Sequence, residues 1–411
     1  MMKDKRMIKD ILWLIMFVLA ALMPMLAYAK TPVKPKAAPL PAPLEISGWI
    51  PYWRTATGTV DAMAHLTAFK EINPFGYTVK QNGALFDALH ATSSSWQMLM
   101  QASREKKIRV IPTVMWSNTQ AIHTVLKSKK LRAAHIKEIM RVVKDNGFDG
   151  IDIDYEGKKA DTKIYFSAFL RDLSKALGKK WLMCTIESRT PLDSRFDVIP
   201  KDIRFANDFA VINKYCDRVR IMAYDQQSID LRLNDAALGP YVPVADPKWV
   251  EKVITLAAKT ISKKKIVIGV PTYGYEYDVT PLSEGYRYDL LWAFNPKYAL
   301  ELGQRIGISP ERNIAGELSF SYAAASATAL LAGQRDTTES NNANLATTTF
   351  GLVSSSSAMS TSTPFRLVWW SDVSAIKDKI ALAKKLGVRG IAIFKIDGGE
   401  DPRLWDALSG R

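Results

Sequence analysis

Four acids within one short run, Asp149, Asp152, Asp154 and Glu156 in FDGIDIDYE, are the residues of this sequence best suited to proton-transfer chemistry. In an extended strand side chains alternate, so Asp152, Asp154 and Glu156 share one face while Ile151, Ile153 and Tyr155 share the other. Two carboxylates ~5 Å apart at an effective dielectric of ~20 repel by roughly 3 kcal/mol, so the stack is expected to retain or share at least one proton. The same repulsion raises a carboxyl pKa towards the working pH, as a general acid requires. A solvated strand would not carry Phe148, Ile151 and Ile153 on its other face. A calcium loop would need a bidentate Glu at its twelfth position, where Lys163 stands, and helical rather than strand-like flanks.

A strand with one acidic and one apolar face needs a scaffold that covers both. From Ile46 onward, short apolar runs rich in β-formers begin at residues 46, 71, 108, 148, 181, 217, 265 and 389. Between several of them lie amphipathic stretches such as SSWQMLMQASREKK, LRAAHIKEIMRVVKDNG and SDVSAIKDKIALAKKLG, the last two ending in the Gly that commonly stops a helix. Repeated βα units predict an α/β fold with a parallel sheet, and eight of them predict a (β/α)8 TIM barrel. The first six intervals span 25 to 48 residues and the seventh 124, which places a small α+β insertion at about 276–365, between strands seven and eight. An open doubly wound sheet is the competing arrangement, since periodicity alone does not establish closure. In a barrel the acidic run is strand four, with Glu156 nearest the C-terminal end where barrels place their active sites. The Ser/Thr/Asn-rich run at 334–363 reads as a mobile loop of the insertion and receives no function.

Composition narrows the chemistry further. The 411 residues are 47% hydrophobic and 24% charged, enough for a substantial core. The histidines are His65, His90, His123 and His135, and no HExxH helix, GxxxxGK[ST] loop or GxGxxG turn occurs. Metalloprotease, P-loop and dinucleotide-binding functions fall away, and no metal or cofactor is expected. Cys184 and Cys216 permit one disulfide at most; their flanks, WLMCTI and NKYCDRV, suit buried thiols as well, so the sequence leaves the pairing open. Lys and Arg number 56 against 41 Asp and Glu, a net +15 that favours acidic partners such as wall polymers. No recognition motif or clustered basic helix supports a nucleic-acid partner.

Residues 1–29 read as a signal peptide, with a basic KDKR start, the apolar run Ile11–Leu26 and the small-x-small triplet Ala27-Tyr28-Ala29. An uncleaved membrane anchor is the alternative, although the apolar run is shorter than the ~20 residues that span a bilayer. Residues 30–45 form a Pro-rich linker with prolines at 32, 35, 39, 41 and 43, and the folded unit starts near Ile46.

The acidic run resembles the DxxDxDxE signature of glycoside hydrolase family 18, the chitinase-like (β/α)8 enzymes. Met222-Ala223-Tyr224-Asp225 resembles that family's MxYD on strand six, and KIVIGVPTYGYEYD resembles its strand-seven pattern. GPYVPVADPKWVEKVI, with VWWSDVSAIKDKIALAKKLGVRGIAIFKIDGGEDPRLW, resembles the bacterial branch of spore-germination and cell-wall hydrolases. The resemblance covers about residues 46–408 and implies a catalytic domain there. It implies that Glu156 protonates the leaving glycosidic oxygen, that Asp154 orients and stabilises the charged acetamido-derived intermediate, and that Asp152 tunes Asp154. Tyr224 and Asp225 would hydrogen-bond the N-acetyl group and the distorted ring. Asp149 would support the start of the strand, with Gly150 and Met222 as structural parts of the motifs. The family has no enzyme nucleophile, because the substrate's own 2-acetamido oxygen attacks the anomeric carbon.

Aromatic residues near strand ends are the candidate sugar platform: Trp49, Tyr52 and Trp53 after strand one, Trp116 after strand three and Tyr273 after strand seven. Their flat apolar faces match the C–H faces of pyranose rings. Phe394 stands where the family usually has a Trp floor beneath the reacting sugar, which leaves less stacking area and no N–H. Lys395 beside it has no assigned part.

The expected function is that of a secreted or cell-envelope glycosidase. It would hydrolyse β-1,4 bonds next to N-acetylglucosamine in peptidoglycan or chitin-like glycans by a substrate-assisted retaining mechanism, with an N-acetylglucosamine-containing polysaccharide as its partner. The alternative is a barrel that binds such glycans without turnover. The retained Glu156 argues against that alternative, and Phe394 argues slightly for it.

Overall fold

A computed structural model describes residues 43–323 and 363–409. The expected leader at 1–29, the expected Pro-rich linker as far as residue 42, and the Ser/Thr/Asn-rich run at 334–363 apart from its last residue lie outside the described residues.

The apolar β-rich runs form the eight parallel strands Glu45–Pro51, Glu71–Val79, Thr113–Trp116, Gly150–Tyr155, Trp181–Glu187, Arg218–Met222, Ile266–Pro271 and Gly390–Phe394. Each pairs with its neighbours in chain order. Strand one pairs with both strand two and strand eight, so the sheet closes into a barrel and the open alternative is excluded. The run that begins at 108 is split into Arg109–Val110 and Thr113–Trp116, with Pro112, which has no N–H for the ladder, in the gap.

Strand four shows how sequence sets the layers. Ile151, Ile153 and Tyr155 are fully buried on the outer side, where Tyr155 meets His135 and Phe169 of the helices that follow strands three and four. Burial of each Ile contributes roughly 1.5–3 kcal/mol. One of those helices, Lys129–Asp145, starts where Ser128 Oγ accepts the Leu131 N–H at 3.3 Å and buries His135, Ile139, Val142 and Val143 at helical spacing. Gly147, at φ 65°, then turns the chain towards strand four.

The inner side is polar below the mouth of the barrel. Arg220 on strand six reaches both Glu71 on strand two and Asp152 on strand four, and Glu45 receives Arg218 and Arg389 at 2.7 Å each. Arg220, Glu71 and Asp152 are at most 2% exposed, where charges are stable only when paired, so this trio ties strands two, four and six together across the barrel interior. Cys184, midway along strand five, and Cys216, just before strand six, are joined as a disulfide with Cα atoms 5.9 Å apart. For their separation of 32 residues the loop-entropy relation assigns the bond about 3–4 kcal/mol.

The long interval after strand seven is a second, antiparallel sheet of Gly274–Leu282, Gly285–Phe294, Glu311–Arg312, Leu318–Ala323 and Phe365–Trp370, with the helix Pro296–Ile306 packed on it. It is slightly wider than 276–365, because strand seven ends at Pro271 and the chain leaves and returns side by side, with Ser371 N–H on the Tyr273 carbonyl at 3.1 Å. Buried Glu317 seats this insert on the barrel. Its carboxylate accepts the N–H groups of Val244 and Ala245 at 2.8 and 3.0 Å and Trp369 Nε1 at 2.7 Å, with Lys379 Nζ 3.4 Å away.

Candidate active site

The site is built upward from Asp152. Its carboxylate accepts Thr113 Oγ1 at 2.8 Å, Thr185 Oγ1 at 2.9 Å and Trp49 Nε1 at 3.2 Å, and Arg220 Nη1 lies 2.9 Å away. Burial raises its pKa to about 6, and the Thr113, Thr185 and Trp49 hydrogen bonds oppose that rise. The Arg220 guanidinium pulls in the same direction as those bonds.

One level higher, Asp154 lies in register with Met115 on strand three and Thr185 on strand five. It is 3% exposed, and its Oδ1 has no hydrogen-bond partner among the described residues. Burial first, then the Glu156, Asp152 and Glu187 carboxyls, hold its pKa well above the usual carboxylate range. Glu156 follows on the same face, half-buried at the strand end, with its N–H on the Trp116 carbonyl at 2.8 Å. Burial and then the charge of Glu187 raise its pKa to about 7. At neutral pH the Asp154–Glu156 pair therefore keeps a proton.

Strands six to eight supply the facing wall. Tyr224 is buried and stacks on Phe394 at 5.6 Å between ring centroids and 18° between planes. Asp225 sits at φ 58°, an uncommon backbone conformation for a residue other than Gly, and its Oδ1 accepts both Tyr273 OH and Tyr275 OH at 2.5 Å. The two phenols fix the Asp225 carboxylate, whose charge also acts on Glu156. Phe394 also meets Phe75, Trp49 and Tyr273 edge-on at 5.8–6.1 Å, and Trp53 meets Phe75 at 5.8 Å. Glu156, Asp154, Tyr224, Asp225, Tyr273, Phe394 and Trp53 thus lie at or just beyond the C-terminal ends of strands one, four, six, seven and eight, with Asp152 buried below them. No group of three or more His, Cys, Asp or Glu among the described residues could hold a metal ion.

Two expected platform residues lie elsewhere. Trp116 is 3% exposed and packs against His135 and Tyr155 outside the barrel, because Met115 rather than Trp116 faces inward at the level of Asp154. It is not a sugar platform. Trp49 is buried beneath the acids as a donor to Asp152 and Thr113 and offers no open face. Tyr52, half-buried, stays beside the site residue Trp53, edge-on at 4.9 Å, with part of its ring on the main core. Asp149 accepts the Val110 N–H at 2.8 Å at the foot of strand four. Gly150 allows strands four and five to approach, since a Cβ there would lie 2.1 Å from the Trp181 carbonyl oxygen. Met222 is in register with Glu187.

Sequence reading missed Glu187, Tyr275, Met115 and Lys158. For Glu187 the signal existed: Met183, Thr185 and Glu187 alternate along WLMCTIE, with the acid at the end of the strand. Lys395 has a structural part, because its Nζ meets Asn295 Oδ1 at 3.0 Å and also Asp397, tying strand eight to the insert.

The sequence model described as Glycosyl hydrolases family 18 matches residues 49–399. YvbX of Bacillus subtilis (strain 168), described as an uncharacterized glycosylase, is 22% identical over 286 residues, which are 69% of this chain and 67% of that protein. Among solved structures, the spore cortex-lytic enzyme SleL of Bacillus megaterium QM B1551 superposes with a TM-score of 0.65 at 18% identity, over 90% of this chain and 75% of that one. A chitinase from Chromobacterium violaceum ATCC 12472 gives 0.65 at 18% identity, over 89% and 98%.

Proposed function

The chain belongs to glycosyl hydrolase family 18, and from that premise we propose that it is an exported glycosidase cleaving β-1,4 bonds next to N-acetylglucosamine in peptidoglycan or chitin-like glycans. The observation that carries this reading is the buried, partnerless Oδ1 of Asp154 one level below Glu156, whose pKa burial and Glu187 raise to about 7. A buried acceptor without a donor is costly, and the amide N–H of a 2-acetamido group supplies the missing donor. With the acetamido group held there, its carbonyl oxygen can reach the anomeric carbon.

In the first step the glycosidic oxygen takes the Glu156 proton as its bond to the anomeric carbon breaks. The acetamido oxygen forms a new bond to that carbon, leaving a positively charged ring stabilised by Asp154. In the second step water attacks the anomeric carbon from the face vacated by the leaving group and gives its proton to Glu156. The ring reopens, and configuration is retained over two inversions. Tyr224 and the Asp225 carboxyl, fixed by Tyr273 and Tyr275, line the side where the acetamido group sits.

Export is supported by the leader-like residues 1–29 and by the Cys184–Cys216 disulfide, a bond typical of oxidising compartments. No helix among the described residues is long and apolar enough to cross a membrane.

Purified peptidoglycan and chitin oligomers digested side by side, with mass spectrometry of the new reducing ends, test the assignment. New ends at N-acetylglucosamine with initial β-configuration are expected; ends at muramic acid alone, or none, overturn it. The pH profile gives a second check. Because Glu156 must be protonated and its pKa is raised to about 7, kcat/KM is expected to fall about tenfold per unit above that pH. A rate that keeps rising into alkaline solution excludes Glu156 as the proton donor.

A further inference from the structure

The mechanism above leaves idle a second carboxyl beside Glu156. Glu187 ends strand five, and the pairing of Asp154 with Thr185 puts it level with Glu156 on the adjacent strand. Both its oxygens are engaged. Oε1 accepts the Gly157 N–H at 2.9 Å, Oε2 accepts Asn207 Nδ2 at 2.8 Å, and Lys158 Nζ lies 3.5 Å from Oε2.

Lys158 is the unusual member of this group. Its side chain is 1% exposed, its Nζ lies 4.8 Å from the Phe166 ring centroid, and it donates to the Tyr155 carbonyl. An ammonium so enclosed needs an anion, and Glu187 is the anion it has. Gly157, at φ 61°, reverses the chain directly after Glu156, and Lys158 turns back to the Tyr155 carbonyl. Glu187 therefore grips the two residues that follow the proton donor. Asn207 joins it to the loop after strand five, where Arg189 Nη2 holds the Asn207 carbonyl at 3.0 Å.

Resting on the reading of Glu156 as proton donor, we infer that Glu187 is a positioning residue, a fixed anion clamped by Lys158, Asn207 and the Gly157 amide that keeps the proton on Glu156. The charged or titratable groups facing Glu156 and its partner Asp154 are Asp152 and Lys158 from their own segment, Glu187 from strand five, and Tyr224 and Asp225 from the end of strand six. Glu187 itself cannot serve as a spare acid. Burial would raise its pKa, but the Lys158 ammonium, with Asn207 and the Gly157 amide, holds it below the usual carboxylate range.

The two charges act on Glu156 with opposite signs. Removing the Glu187 charge lets Glu156 ionise at lower pH; removing the Lys158 charge makes it ionise at higher pH. The test titrates the full chain carrying 13C-carboxyl glutamate by NMR, with the Glu156 resonance identified by its loss in Glu156→Gln, and measures kcat/KM against pH. Glu187→Gln is expected to move the midpoint and the alkaline limb down by ~1 pH unit, and Lys158→Met to move them up. Lys158→Met/Glu187→Gln, which leaves neither charge buried alone, should fall between and serves where a single variant fails to fold. Unchanged midpoints in folded variants, or shifts of the same sign in both single variants, overturn the inference. A parent protein without turnover overturns the glycosidase reading instead, and the NMR midpoints still decide this one.

Discussion

Glu156→Gln is expected to lower kcat/KM on an unmodified N-acetylglucosamine oligomer by about 10³-fold or more, with the oligomer still bound. Glutamine keeps the shape of the side chain and has no proton to release to a glycosidic oxygen. The neighbouring carboxyls cannot take over. Glu187 is held ionised by Lys158, Asn207 and the Gly157 amide, and Asp225 is turned to the Tyr273 and Tyr275 phenols. Asp154 retains a proton but sits one residue pair deeper, below the level of the scissile bond. The substitution also relieves a stack of buried acids, so the melting temperature should hold or rise, as often happens when a strained functional group is neutralised. An aryl glycoside, whose leaving group departs without protonation, should recover much of the loss. A loss of only about tenfold on the unmodified oligomer would mean that the proton comes from elsewhere.

Strand four was legible in the sequence because alternation fixes which residues share a face, and its apolar partners Ile151 and Ile153 mark the other face as buried. The eight runs predicted the strands for the same local reason, whereas closure depended on pairing between strands one and eight, more than 300 residues apart. Trp116 shows where local reading stops. Proximity to a strand end does not specify a face, and only the register of Met115 with Asp154 reveals that Trp116 points outward. Lys158 was illegible for a different reason: a lysine in a loop reads as solvated until the φ of Gly157 turns it inward onto Glu187. Lys395 needed the insert, since its partner Asn295 is 100 residues away in sequence. The disulfide followed neither from spacing nor from composition, but from the adjacency of strands five and six.

Asp154→Asn is expected to lower kcat by ~10²–10³-fold with a much smaller change in KM, and to do so equally on unmodified oligomers and aryl glycosides. The side chain works through charge rather than size. On the proposed mechanism positive charge grows, as the anomeric bond breaks, on an acetamido group held at Asp154 Oδ1, and an ionised carboxyl stabilises it more than an amide dipole does. Asp154 acquires that charge only once its donor has arrived and the proton the pair retains has passed to Glu156, because in the free site burial and the surrounding acids favour its neutral form. Asp152 cannot rise to replace it, being fixed by Thr113, Thr185, Trp49 and Arg220. An asparagine there still accepts the amide N–H, which is why binding should survive. Leaving-group dependence then separates the two acids: a better leaving group spares the Glu156 variant and gives the Asp154 variant nothing, since the developing cation is the same in both substrates. Recovery of Asp154→Asn on the aryl substrate, or a loss below about tenfold on both, would place the acetamido group away from Asp154 and remove the chemical reason for an N-acetylated sugar.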